Sequence, residues 1–285
     1  SETQRLIKRD FGIDLDVNKI PLNDNNTFKL LRMAKTTSVF QLESNGMKRY
    51  LKELIPTSID DITAMVSLYR PGPMDLIPEY ISRKHGKSKI TYLHPLLESV
   101  LGDTYGIMIY QEQLIKSVQV LAGFTLAEAD VLRKAVGKKI KTLLDQQEDK
   151  FKNGCRKNGI SEDVANQFWA LVEPFNRYGF NKSHAVCYAL IGYQTAYLKS
   201  NYPLQFMIAE LNSSANIERI KEVISELNDM GIKVLPPDIN YSESGFGSND
   251  AYIRFGLSAI KGMNNKIVDN IITERKNNKF FFLIF

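Results

Sequence analysis

The sequence predicts a mainly α-helical protein with a few short strands, and three observations carry that expectation. Capping boxes, a Ser or Thr followed three residues on by an acid, stand at Ser58/Asp61 and Thr125/Glu128. Behind them apolar residues recur with a helical period of about 3.6 residues. Strand-like alternation is confined to brief stretches such as "SVFQLES" and "AYIRFGL".

Taken in order, residues 1–36 read as a helix end and a polar connector, with "PLND" supplying a turn and a cap before "TFKLLRMA". "SVFQLES" then alternates like a short extended segment. From Ser58 a helix presents Ile59, Ile62, Val66 and Tyr69 on one face. "RPGP", residues 70–73, stops it, because proline cannot extend a helix and disfavours helical geometry just before itself. "MDLIPEYISRKHGKSKI" continues as a broken, partly helical connector, and "TYGIMIYQEQ" as a short buried strand running into a helix. From Thr125 a basic helix turns Leu126, Ala129, Leu132 and Val136 inward and spreads Arg133, Lys134, Lys138 and Lys141 over the rest. "SEDVANQFWALVEPF" is a helix anchored by Phe168 and Trp169. From Ser183 a long helix carries the apolar stripe Val186, Ala189, Leu190, Tyr193 and Tyr197, ending before Pro203. Beyond it come helix, loop, helix and strand, then turns in "PPDIN" and "SESGFGSND", a strand in "AYIRFGL", and a helix–turn–helix rhythm from Ser258. A domain boundary is expected between residues 203 and 216.

Composition bounds the function. With 285 residues, 44% hydrophobic and 24% charged, the chain has the make-up of an ordinary globular protein of about two domains. No run approaches the roughly 18 apolar residues of a membrane helix, so no membrane partner is expected. The opening "SETQRLIKRD" lacks the apolar stretch of a signal peptide, and Cys155 and Cys187 stand outside any C-x-x-C; both features suit a reducing cytoplasm. The chain opens on Ser and stops inside the apolar "KFFFLIF", and so reads as a piece of something longer. Net charge is +5, yet Arg133 to Lys157 alone holds nine basic residues against three acids, a local field that draws polyanions.

Three places offer chemistry. The basic helix, with Arg133 and Lys134 just past its capped start and no acid expected to pair them, suits either phosphate binding or a solvated face. "NKSHA" sets Lys182 and His184 around Ser183 at a helix start, where the macrodipole disfavours each cation by about 0.3–1 kcal/mol unless an anion joins them. "RPGP" holds Arg70 on a rigid bend, either for bidentate phosphate contact or simply as a helix stop. Asp14 and Asp16 of "DLD" resemble a paired-carboxylate metal site but lie in a polar connector, and His85, His94 and His184 show no ligand spacing. There is no P-loop and no nucleophile elbow.

"SVFQLESNGMKRYL", "DITAMVSLYRPGPMDLIPEYISRKHGK", "TYGIMIYQEQ", "AGFTLAEADVLRKAVGKK", "EPFNRYGFNKSHAVCYALIGYQTAYLKSNYP" and "KVLPPDIN" together closely resemble the bacterial DNA polymerase III alpha-subunit family, the C-family replicative polymerases. They occur in the family's order over nearly the whole chain. The resemblance implies a fragment: residues 1–36 as the exit from the palm, 37–203 as the nucleotide-binding fingers, and 204–285 as the start of an incomplete helix-hairpin-helix region that binds DNA. It implies part of a DNA-directed DNA polymerase whose partners are template–primer, dNTP and other replicase subunits. The palm's aspartates, which hold Mg2+, precede this segment, so no catalytic residue or metal ligand is expected here and the fragment alone should be inactive. By motif position Arg133, Lys134, Lys182 and His184, with Arg70 and Lys138, are implied to bind the nucleotide's phosphates, and Lys139, Lys141 and Lys261 to bind DNA. The chain departs from the family where the hairpin usually has a second glycine: here stand Gly262, Met263 and Asn264, and Asn tolerates left-handed backbone better than most residues. From the residues alone, a stand-alone nucleic-acid-binding module or a structural segment with a solubilising basic face are the competing readings.

Overall fold

Helix follows helix through most of the computed structural model, which describes every residue except Lys139, Ile140, Arg177, Tyr178, Ala215, Asp250, Asn278 and residues 281–285. The apolar end of "KFFFLIF" therefore lies outside the described residues. In chain order the helices are α1 (Glu2–Phe11), α2 (Asn25–Arg32), α3 (Asn45–Leu54), α4 (Ile59–Leu68), α5 (Ile77–Lys84), α6 (Glu98–Leu101), α7 (Gln111–Ala122), α8 (Leu126–Lys138), α9 (Lys141–Lys157), α10 (Glu162–Asn176), α11 (Lys182–Asn201), α12 (Pro203–Ser213), α13 (Ile217–Asp229) and α14 (Asn265–Asn277). Three short strands, β1 (Val234–Leu235), β2 (Gly247–Asn249) and β3 (Tyr252–Arg254), form one sheet in the order β1-β3-β2. The chain is thus mainly helical, as its capping boxes and periodicity predict.

The chain divides into two compact units, Arg49–Ile191 on one hand and Ser1–Lys48 with Gly192–Phe285 on the other. In the first, α7 to α10 enclose Val118, Leu121, Leu132, Phe151, Phe168 and Phe175. Phe151 stacks on Phe168 with ring centroids 5.2 Å apart. Gly154 lets α9 approach the end of α7, since a Cβ there would sit 2.2 Å from the Ala122 carbonyl oxygen. Cys155 is buried in this core, and burial pushes its thiol up to about 11, which leaves it unreactive.

In the second unit α1, α12 and α13 close over Leu6, Ile7, Met207, Leu211, Val223 and Leu227, with Phe246 and Ile253 of the sheet region beneath. β1 pairs parallel to β3 and β2 antiparallel to it, with Gly247 opposite Arg254 and Asn249 opposite Tyr252. A polar knot lies inside. Lys199, 0% exposed, donates to the Thr37 carbonyl at 2.7 Å and to Glu226 Oε1 at 2.5 Å. Thr37 Oγ1 donates to Glu226 Oε2 at 2.8 Å, and the Lys48 ammonium stands 3.7 Å from the same oxygen. The two titrations pull in opposite senses: burial pushes Lys199 down to about 8, while Glu226, despite burial that opposes ionisation, is held below the usual carboxylate range by the Lys199 bond. We take the pair as charged at neutral pH, because the carboxylate faces two ammonium groups and a hydroxyl.

Residues 1–11 are helical and end, as expected, at Gly12 in the left-handed region, φ 69°. Several local expectations are corrected. "SVFQLES" is a pair of tight turns, with Ser38 and Gln41 at φ 67° and 62°, because Val39 and Leu42 are both buried three residues apart. α4 is buried on nearly every side, including Thr63, Ala64, Met65 and Ser67, rather than along the face of Ile59, Val66 and Tyr69. In α8 Leu126 is 66% exposed, and Ala129, Leu132 and Ala135 take the core positions. The buried stripe of α11 is Ala185, Ala189, Tyr193, Ala196 and Lys199, with Val186, Leu190 and Tyr197 half-buried beside it. "TYGIMIYQEQ" contributes a single parallel bridge, Tyr110 with Phe180, instead of a strand, and part of "SESGFGSND" is strand β2. Asn264 is not left-handed: its Oδ1 accepts from Ile267 N–H at 2.9 Å and caps α14, while Gly262, φ 90°, makes the turn.

Candidate functional site

The Tyr110–Phe180 bridge organises the first candidate site, wholly within Arg49–Ile191. Phe180 N–H donates to the Ile109 carbonyl at 3.0 Å and Gln111 N–H to the Phe180 carbonyl at 2.8 Å. This locks the segment before α11 against the segment before α7. Arg70, turned by the Pro71-Gly72-Pro73 bend, lays its guanidinium over the Phe180 ring, Cζ 4.1 Å from the centroid. Its Nε donates to the Ser67 carbonyl at 2.9 Å, and burial lowers its pKa, a measure of how far it is drawn from water. His184 packs on the same ring at 5.5 Å and on Tyr188 at 4.4 Å. The Lys182 ammonium lies 5.4 Å from the Tyr110 centroid. Arg70, Lys182 and His184 therefore gather around two bridged aromatics, positions far apart in sequence joined by one pair of backbone bonds.

The α11 N-terminus is already served. Asn181 Oδ1 accepts from His184 N–H at 2.9 Å, and Glu112 Oε2 accepts from Lys182 N–H at 2.9 Å. The helix start thus begins at Lys182 rather than Ser183, and the anion that its dipole favours is a carboxylate of α7. That corrects the expectation of cations with nothing negative between them. Sequence reasoning missed Glu112, Tyr110 and Phe180, since nothing local announces that residues about seventy positions apart meet at Lys182 and Glu112.

Arg133 and Lys134 sit on α8, and they do have an acid. Arg133 and Lys134 each lie 2.8 Å from a carboxylate oxygen of Asp130, whose pKa falls because Lys134 and Arg133 hydrogen-bond it. Counting acids only from Arg133 onward overlooks this residue one turn earlier. At the helix start Glu128 is held down to about 2 by Lys150, with help from the Thr125 backbone. Lys152 pairs with Glu148 at 2.7 Å. The basic stretch is accordingly interlaced with acids on neighbouring turns. Lys139 lies outside the described residues, as do the side chains of Lys138 and Lys141.

In the other unit Lys261 is exposed just before the Gly262 turn. Asp14 pairs with Lys8 at 3.1 Å, and Asp16 accepts from Asn18 N–H at 3.0 Å. His85 Nε2 meets the Glu53 carbonyl at 2.9 Å, joining α5 to α3, and His94 Nδ1 accepts from Leu96 N–H at 3.3 Å. Among the described residues no group of three or more His, Cys, Asp or Glu side chains is placed to hold a metal ion, and no helix is long and apolar enough to cross a membrane.

Arg70, Lys182 and His184 thus meet at one bridged aromatic pair on a helical scaffold. The profile of the bacterial DNA polymerase III alpha subunit finger domain matches residues 1–159, and that of a helix-hairpin-helix motif matches residues 231–284. The chain is 46% identical over 281 residues to DNA polymerase III subunit alpha of Aquifex aeolicus, covering 98% of this chain and 24% of that protein. It is 44% identical to the protein of the same name from Bacillus subtilis, covering 96% and 25%. The chain belongs to the bacterial DNA polymerase III alpha subunit finger-domain family, and it spans about a quarter of the length of these relatives.

Proposed function

We propose that Arg49–Ile191 handles the triphosphate of an incoming deoxynucleotide for a template-directed DNA polymerase. Arg70, Lys182 and His184 would bind phosphate oxygens, joined by Arg133, Lys134 and Lys138. The observation that carries this reading is the convergence of Arg70, Lys182 and His184 on the Tyr110–Phe180 bridge. Support comes also from α8. Only Gly123, Phe124 and Thr125 connect α7 to α8, and the two helices pack together. A three-residue connection folds α8 back against α7, and in this reading Arg133 and Lys134 join the same pocket. Cations fixed in this way neutralise the leaving pyrophosphate and align the α-phosphorus for in-line attack by a primer hydroxyl. Mg2+ would supply further charge neutralisation; its ligands belong to the palm of the longer protein. In the same reading residues 1–36 are the palm exit, 37–203 the fingers and 204–285 the start of the hairpin region, with Lys139, Lys141 and Lys261 toward DNA and other replicase subunits as partners.

Charge reversal tests it. In the 285-residue chain, Arg133→Glu with Lys182→Glu is expected to abolish Mg–dNTP binding by calorimetry while duplex binding falls less than about threefold. Glutamate at the α11 start suits the helix dipole, so the fold should survive. Equal loss of both ligands would instead favour a general nucleic-acid-binding module.

A further inference from the structure

A second, independent site stands on the small sheet. β3 alternates, so Ile253 is buried while Tyr252 and Arg254 share the opposite face. Opposite Arg254 is Gly247, whose missing side chain leaves open space: a Cβ there would find nothing nearer than Glu243 Cγ at 4.0 Å. Tyr241 completes the cleft from the turn before β2. Arg254 Cζ lies 5.6 Å from the Tyr241 centroid and 5.8 Å from that of Tyr252, and the Lys279 ammonium lies 5.8 Å from Tyr241. The cavity between them holds about 240 Å³, below the roughly 300 Å³ at which pockets begin to take drug-sized ligands.

Tyr241 is 61% exposed, yet its turn is braced from several directions. Asn240 and Phe280 exchange two bonds, Nδ2 to carbonyl at 2.9 Å and N–H to Oδ1 at 2.8 Å. Arg275 Nη1 donates to the carbonyls of Ile239 and Ser242, at 3.3 and 2.5 Å. Asp238 accepts from Asn240 N–H at 2.8 Å and closes the turn. The lining carboxylate, Glu243, is held by Arg275 at 3.1 Å. A large aromatic ring is thus kept in water on a braced turn, with the Arg254 guanidinium and the Lys279 ammonium over it, each more than 5 Å from its centre and within reach of a base's flanking phosphates. Flexible exposed rings lose entropy on binding; this one is already ordered.

We propose that this cleft is a base-stacking site for single-stranded DNA, with one base against Tyr241 and its flanking phosphates on Arg254 and Lys279. A planar ring beside an anion is the chemistry that an aromatic floor with a basic rim recognises. Cavity size admits a single base, and the open floor at Gly247 admits it edge-on. The site is separate from the nucleotide site proposed above and stands or falls without it.

The test uses fluorescence anisotropy of a labelled oligothymidylate about a dozen residues long with the 285-residue chain. Tyr241→Ala is expected to weaken binding by at least about fivefold, the lower end of what one stacked base contributes. Gly247→Val, which fills the floor with a strand-favouring residue, should do the same without removing a ring or a charge. Tyr241→Phe should keep nearly full affinity, and duplex binding should be unchanged in all three. A 5-iododeoxyuridine strand should photo-cross-link at Tyr241. Unchanged strand affinity in both Tyr241→Ala and Gly247→Val overturns the proposal, as does a cross-link mapping outside the cleft. Displacement of the strand by free dTMP at equal nucleotide concentration would also overturn it, as a mononucleotide site.

Discussion

Glu226→Gln is expected to destabilise the chain's second unit by about 3–5 kcal/mol in urea unfolding. Glutamine keeps the shape and one acceptor but leaves the Lys199 ammonium, 0% exposed, with neutral oxygens only and no counter-charge. Removing one member of a buried pair strands the other charge in a poorly solvating interior, and that penalty exceeds the net worth of the pair itself. It follows that Lys199→Met in the Glu226→Gln background should recover most of the loss, because neither charge is then left alone. The pH dependence has a definite sign. Glu226 is held below its ordinary range in the folded chain by Lys199, against the opposing effect of burial. The unfolded chain therefore binds the proton first. The carboxylate's contribution is complete above its ordinary value of 4.5 and is lost as pH falls through the lower folded value. Glu226→Gln should flatten the acid limb of the stability curve. A loss below about 1 kcal/mol, or an unchanged acid limb, would show that the knot is uncharged.

Glu112→Gln should raise the affinity for Mg–dNTP by about tenfold, roughly 1.4 kcal/mol. The carboxylate now receives Lys182 N–H at 2.9 Å, at the point where a phosphate would approach the α11 start. Two unit charges of like sign some 6 Å apart at an effective dielectric constant near 20 repel by about 3 kcal/mol, and solvent exposure reduces that. Glutamine still accepts the backbone bond, so α11 keeps its cap and loses only about 0.3–1 kcal/mol of dipole stabilisation. If Glu112 serves only the helix, stability falls by that amount and nucleotide affinity does not move. If it helps hold the nucleotide's metal ion, affinity falls. A gain is expected only where phosphate and carboxylate compete for the same positive pole.

The sequence was most informative where structure is local. Ser58/Asp61 and Thr125/Glu128 form the boxes that their spacing announces, because both partners lie within one turn. Asp24 caps α2 from the "PLND" turn for the same reason. Alternation misled at Ser38 to Ser44, where the burial of Val39 and Leu42 overrides any strand tendency through two left-handed residues. Asp130 was visible three and four residues before Arg133 and Lys134, a spacing that pairs side chains on any helix. Other features had no local signature. A lysine on an apolar stripe says nothing of a glutamate on another helix, yet Lys199 is buried only because Glu226 and Thr37 meet it. Likewise Arg70 and His184 became neighbours through Phe180, a residue with no charge to draw notice.

In the proposed function α11, the Pro-Gly-Pro bend and α8 assemble one polyphosphate pocket. The most direct measurement is a titration of the 15N-labelled chain with Mg–dTTP, followed by NMR. Amide signals of Lys182, Ser183 and His184 and the Nε signals of Arg70 and Arg133 should shift together along one saturating curve, with matching fits. Shifts at Arg133 that saturate separately from those at Lys182, or no shift at Lys182 and Arg70, would contradict it.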